Sequence, residues 1–215
     1  MKKILCILLS LILISALFCS CGKTESEEET ESLYEHTLVK FTMEGGDYFI
    51  VELYPEYAPA TCENFIKLVE EGFYEGLVFH RVVDEFMAQG GCYDKDGNAH
   101  EADTIKGEFS SNGFTQNTLS HTDGVISMAR SSEPDSASSQ FFICYGDQNF
   151  LDGSYAAFGK VIEGMETVEA FCNVERTYNG MDSSPASPVE PIVIDYAEVL
   201  YDATEATASQ ATEAN

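Results

Sequence analysis

Basic residues are scarce in this chain of 215 residues: Lys and Arg number 11 against 37 Asp and Glu, a formal charge of −26. Binding phosphates requires clustered cations, and these few are scattered, which argues against a nucleic-acid partner. The apolar run Ile4 to Phe18 is shorter than the roughly 20 residues a spanning helix needs, so a permanent transmembrane anchor is disfavoured. The cysteines include no CxxC pair of the redox or zinc type outside the first 21 residues. His36, His80, His100 and His121 lack metal-ligand spacing. No GxSxG elbow supports a serine hydrolase. The stretch Gly153 to Lys160 is one residue too long for a phosphate loop, and Val161 stands where Ser or Thr belongs. Asp94 to Gly97 has its glycine too early for a calcium loop and reads as a surface turn. No internal repeat is evident, and neither metal nor cofactor is expected.

What is present is a chain with 44% apolar residues, enough to bury a core. Met1-Lys2-Lys3 followed by Ile4 to Phe18 has the shape of an export signal. Phe18-Cys19-Ser20-Cys21-Gly22 resembles a bacterial lipoprotein cleavage site, with small Ser20 just before Cys21. That resemblance implies removal of residues 1–20, lipidation of Cys21 and a domain outside the cytoplasm, anchored to the bacterial cell membrane. Phe18 sits where Leu is usual, Cys19 is an alternative acceptor, and an ordinary secretory signal is the competing reading. Lys23 to Ser32 is a charge-rich run that cannot bury apolar surface, so residues 21–33 read as the lipidated N-terminus and a solvated tether. Residues 202–215 read as a disordered tail. One domain, residues 34–201, remains. It holds Cys62, Cys92, Cys144 and Cys172, for which three disulfide connectivities are open. Cys62 and Cys144 sit among apolar neighbours and read as buried free thiols.

Within the domain, Leu38 to Met43 and Tyr48 to Leu53 flank Glu44-Gly45-Gly46-Asp47, a hairpin signal. From Pro59, Cys62, Phe65, Ile66 and Val69 fall on one helical face, and Gly72 is a natural stop. Leu77 to Arg81, Val125 to Ala129, Phe141 to Cys144, Ala156 to Val161 and Ile192 to Leu200 read as strands, and Met165 to Cys172 as a second helix. Many strands with two widely separated helices predict an antiparallel sheet closed on itself, with helices over its ends. Alternation along Phe79-His80-Arg81 would put Phe79 and Arg81 on one face. Taken alone, Arg81 reads as a surface ion-pair partner, and the aromatic residues around it as core.

Three segments change those odds: FHRVVDEFMAQGG (79–91), SMARSSEPDSASSQFFI (127–143) and NFLDGSYAAFGKVIEGM (149–165). In order and spacing they resemble the cyclophilins, as do the opening strands and PVEPIVIDYAEVL (188–200), so the likeness spans residues 36–201. It implies a mainly β fold, a closed eight-stranded antiparallel barrel capped by two α-helices, with the site on its outer surface. It also implies peptidyl-prolyl cis-trans isomerisation, with Arg81 as the catalytic arginine and Gln89 supporting it. Phe86, Met87, Phe142 and Leu151 match the pocket for proline, and Ala129, Arg130 and Gln140 the groove for preceding residues. Phe150 stands where many members have Trp, Tyr155 where many have His, and Arg130 where eukaryotic members commonly have Asn. The expected partners are proline-containing segments of exported, unfolded proteins, met by a monomer. The alternative is a proline-recognising binding or chaperone module with little catalysis.

Overall fold

Gly45 and Gly46 adopt φ of 114° and 95°, a reversal that residues with a Cβ resist, and so close the first hairpin. It joins β1 (Leu38–Met43) to β2 (Tyr48–Leu53), with Phe41 opposite Phe49 and both rings facing inward. The computed structural model describes residues 36–200. The expectations for residues 1–33 and 202–215, Cys21 among them, lie outside the described residues.

Helix α1 (Pro59–Glu70) starts at a proline, whose missing N–H costs nothing in a first turn. Its buried stripe is Thr61, Cys62, Phe65, Leu68 and Val69. Strands β3 (Leu77–Val83), β4 (Met87–Asp94), β5 (Val125–Met128), β6 (Phe141–Cys144) and β7 (Ala157–Glu163) follow. Helix α2 (Met165–Ala170), a 3-10 turn through Asn173, the short pair β8 (Arg176–Thr177) and β9 (Ser187–Pro188), and β10 (Ile192–Leu200) complete the fold. Eight of the strands close into an antiparallel barrel in the order β1-β10-β3-β4-β6-β5-β7-β2. The barrel is filled by aromatic rings: Phe41 stacks on Phe49 at 5.0 Å, and Phe65 from α1 meets Phe158 at 5.0 Å. Phe171, just beyond α2, meets Phe79 at 4.8 Å. Cys62, Cys92 and Cys144 are buried and free, as is the half-buried Cys172.

Two expectations change. Met87 to Asp94, whose two glycines hide its alternation, forms a full strand. Gly91 there has φ of 90°, and a Cβ on it would stand 2.8 Å from the Ser139 carbonyl oxygen, so this close strand crossing admits only glycine. Phe79 and Arg81 also do not share a face. Phe79 pairs with Gly90 and Arg81 with Gln89, so β3 carries one extra residue between them. Phe79 and Val82 both enter the core, and the bulge turns Arg81 outward.

Candidate active site

Cross-strand register assembles the site. Arg81 on β3 lies opposite Gln89 on β4, Gln89 opposite Phe142 on β6, and Phe142 opposite Ser127 on β5. One step along, Val83, Met87 and Cys144 form a second row. Since alternate residues share a face, these rows lie on the outside of the barrel wall while Ala88, Phe141 and Ile143 fill its inside. Met87, Phe142, Cys144 and Leu151 form an apolar cluster of their own, separate from the core and flanked by Phe86, Ala129 and Tyr155.

The loops complete it. Glu85 is the one described non-glycine residue with positive φ, 57°, and the tight turn it makes sets Phe86 at the rim. Leu151 closes the far side from the 3-10 turn Asn149–Leu151. Beneath Phe142 lies His121, stacked on it at 6.0 Å between centroids. Burial holds His121 below its ordinary pKa, against the pull of Asp152, so the ring is neutral at pH 7. Its Nδ1–H then donates to Asp152 Oδ1 at 2.8 Å, and Nε2 accepts from the Ser127 hydroxyl at 2.9 Å. This order of Asp, His and Ser imitates a nucleophilic triad, but Ser127 and His121 have no exposed surface. They support the floor.

A cavity of about 120 Å³ results, lined by Arg81, Phe86, Met87, Gln89, Ala129, Arg130, Phe142, Leu151 and Tyr155. Nine of the eleven residues singled out from the sequence as catalytic or substrate-binding therefore line one space. Of the other two, Gln140 accepts from Gln89 Nε2 at 3.0 Å, and Phe150 is 71% exposed, packing on Phe86 at the edge. Arg130 is fixed rather than free. Its Nε and Nη2 donate to the Ser154 carbonyl and its Nη1 to that of Ser131, with the guanidinium between the Phe109 and Tyr155 rings.

Arg81 is fixed more firmly. Its Nη1 donates to Gln89 Oε1 at 3.0 Å, while Nε and Nη2 donate to the two oxygens of Asp182 at 2.8 and 2.6 Å. The guanidinium holds the Asp182 carboxyl below the usual carboxylate range, against burial and with help from Asn179. Nothing in the sequence pointed to Asp182, which stands 101 residues from Arg81. Of the five N–H donors of a guanidinium, three are thus engaged by oxygen. Beyond those, among the described residues, Nη1 reaches only the Met87 sulfur at 3.9 Å, a weak acceptor that lies on the cavity wall. Strong hydrogen-bonding capacity therefore remains at the mouth of an apolar pocket.

Residues 38–199 match the family model for cyclophilin-type peptidyl-prolyl cis-trans isomerases. The chain is 44% identical over 153 residues to a peptidyl-prolyl cis-trans isomerase of Acinetobacter baylyi, covering 67% of this chain and 77% of that protein. It is also 44% identical over 133 residues to isomerase B of Bacillus subtilis, covering 62% and 89% respectively. Among solved structures, a cyclophilin-type isomerase of Cryptosporidium parvum superposes with a TM-score of 0.62 at 26% identity, covering 78% of this chain and 99% of that one. A structure of the parasite isomerase in the presence of the dipeptide Ala-Pro gives 0.61 at 27% identity, covering 77% and 99%. The matched span takes in the whole outer-wall site, and the chain belongs to the cyclophilin family as a peptidyl-prolyl cis-trans isomerase.

Proposed function

We propose that the enzyme accelerates rotation of Xaa-Pro bonds in exported proteins by binding the twisted amide more tightly than the planar one, with Arg81 supplying the difference. The observation that carries this is the Arg81 guanidinium, held by Gln89 and Asp182 beside the apolar cavity wall of Met87, Phe142 and Leu151. Rotating a peptide bond means losing amide resonance, a barrier of about 18–20 kcal/mol. For Xaa-Pro both isomers are populated, differing by about 0.5–1 kcal/mol, and exchange takes tens to hundreds of seconds. No bond breaks, so no nucleophile is called for. As resonance is lost the prolyl nitrogen gains a lone pair, and a fixed N–H donor stabilises it most at the top of the barrier. The apolar wall of Met87, Phe142 and Leu151 grips the ring while the preceding carbonyl turns, and the water it displaces strengthens the arginine's effect. An acceleration of ~10⁵ needs only about 7 kcal/mol of such differential binding.

Exchange NMR on a short Xaa-Pro peptide tests it. Arg81→Ala should lose about 10²-fold or more of the rate, as when a single preorganised donor is removed, while the fold is kept. An unchanged rate would overturn the mechanism.

The setting is part of the proposal. Met1-Lys2-Lys3, the apolar run to Phe18 and Ser20-Cys21 support a lipoprotein signal, with Cys21 lipidated and the domain outside the cytoplasm, anchored to the cell membrane. There it would meet exported chains still unfolded, whose proline-containing segments are its substrates. Among the described residues the eight barrel strands leave no open edge and only the short β8-β9 pair does, which supports a monomer. Mass spectrometry of the mature protein should find lipid on the Cys21 amino terminus and sulfur, and Cys21→Ala should release the protein from membranes. An unmodified terminus would end this reading, and sedimentation as a dimer would end that of a monomer.

A further inference from the structure

Asp182 does not line the cavity, yet no other described residue holds Arg81 so fully. We infer that Asp182, on the loop between β8 and β9, is a positioning residue, which fixes the plane of the Arg81 guanidinium. The inference rests on Arg81 acting as proposed above.

The loop is built for the purpose. The Ala186 carbonyl accepts from Val82 N at 2.8 Å, which ties the loop's end to β3 one residue from Arg81. Its start is tied by Arg176, which donates to the Val82 carbonyl at 3.1 Å and pairs with Asp84 at 2.8 Å. At the tip, Asn179 Oδ1 accepts from the backbone N–H groups of Met181 and Asp182, and Asn179 Nδ2 donates to Asp182 Oδ2 at 2.8 Å. Asp182 is thereby held rigid, with its side chain only 10% exposed.

A carboxylate on the Nε–Nη2 edge fixes the guanidinium about its last torsion and sets its plane, which one contact from Gln89 to Nη1 would leave free to swing. It also offsets the local positive charge. Arg81 then presents directed N–H groups suited to a neutral amide rather than a bare cation that would capture carboxylates.

The test compares Asp182→Ala, Asp182→Asn and Asp84→Ala in the whole 215-residue chain, with Arg81→Ala in parallel. Asp182→Ala should lower kcat about 10- to 100-fold, as misplacement of a catalytic group by about 1 Å does, with KM changed less than about three-fold. Asp182→Asn, which keeps one acceptor, should fall between. The Arg81 Nε–H resonance should shift and exchange faster with water in both Asp182 variants. Asp84→Ala, which removes only an exposed ion pair at the start of the same loop and leaves the Arg176 bonds to the Val82 and Cys172 carbonyls, should keep kcat within about two-fold. A kcat for Asp182→Ala that is unchanged or raised, a loss seen only in KM, an unmoved Nε–H, or an equal loss in Asp84→Ala would each overturn the inference. If Arg81→Ala also keeps the rate, the mechanism itself has failed, and not Asp182 alone.

Discussion

Two histidines near the site, His80 and His121, show how one residue's surroundings separate stability from activity. Burial, followed by the charge of Arg81, lowers the His80 pKa to about 4, and burial lowers that of His121 as well. A histidine with a depressed pKa is neutral in the folded protein but binds a proton when unfolded below about pH 6.5. Its contribution is therefore complete above that value and is lost as pH falls toward the folded pKa. For His80 the loss reaches at most roughly 3 kcal/mol by pH 4, less what partial exposure removes. Urea midpoints should thus decline from pH 7 to pH 4, and His80→Asn should flatten the slope; an unchanged slope would refute the assignment. Activity should instead stay level between about pH 7 and 9, because an arginine keeps its charge there and both histidines, lowered from about 6.5, are neutral.

Among the elements, α1 has an unusual start. Its N-cap is Ala58, which offers no side-chain acceptor. The carboxylate of Glu108, nearly 50 residues on and 4% exposed, accepts instead from Ala60 N, Thr61 N and the Thr61 hydroxyl at 3.0, 2.8 and 2.7 Å. Glu108→Ala strands these donors and should cost about 1–3 kcal/mol in urea unfolding at pH 7, with activity per folded molecule preserved. A cost below about 0.5 kcal/mol, the range of a neutral surface change, would show that the cap is dispensable. The helix itself was legible from Pro59 and its apolar stripe, because both are local. Its true cap was not, since Glu108 comes close only after the barrel closes. Strand β4 escaped notice for a related reason: Gly90 and Gly91 erase the alternation by which strands are read, and their purpose is a close approach to neighbouring strands.

For the molecule as a whole, closure of the barrel creates the site. Arg81, Gln89, Phe142 and Ser127 come from four strands between positions 81 and 142, and only the order β3-β4-β6-β5 sets them in one row. Because the row lies on the outer wall, the apolar pocket can be open to a peptide without hollowing the core, whose rings pack on the other side of the same strands. On the proposed mechanism, catalysis and stability are thus served by opposite faces of the same strands. This is why Arg81→Ala is expected to silence the enzyme and leave the fold standing.

The sequence by itself determined the strand and helix periodicity, the hairpin turns, the acidic character and, through three linked motifs, the family and most of the residues around the pocket. Those are properties of neighbours along the chain, or of patterns shared with relatives. Tertiary structure alone decided that Arg81 and Phe79 face opposite ways, because simple alternation put them on one face and a single extra residue in β3 separated them. It also supplied Asp182 and Glu108, each bringing a carboxylate to unsatisfied N–H groups far away in sequence. Such pairings depend on distance in space, and a chain acquires those distances only by folding.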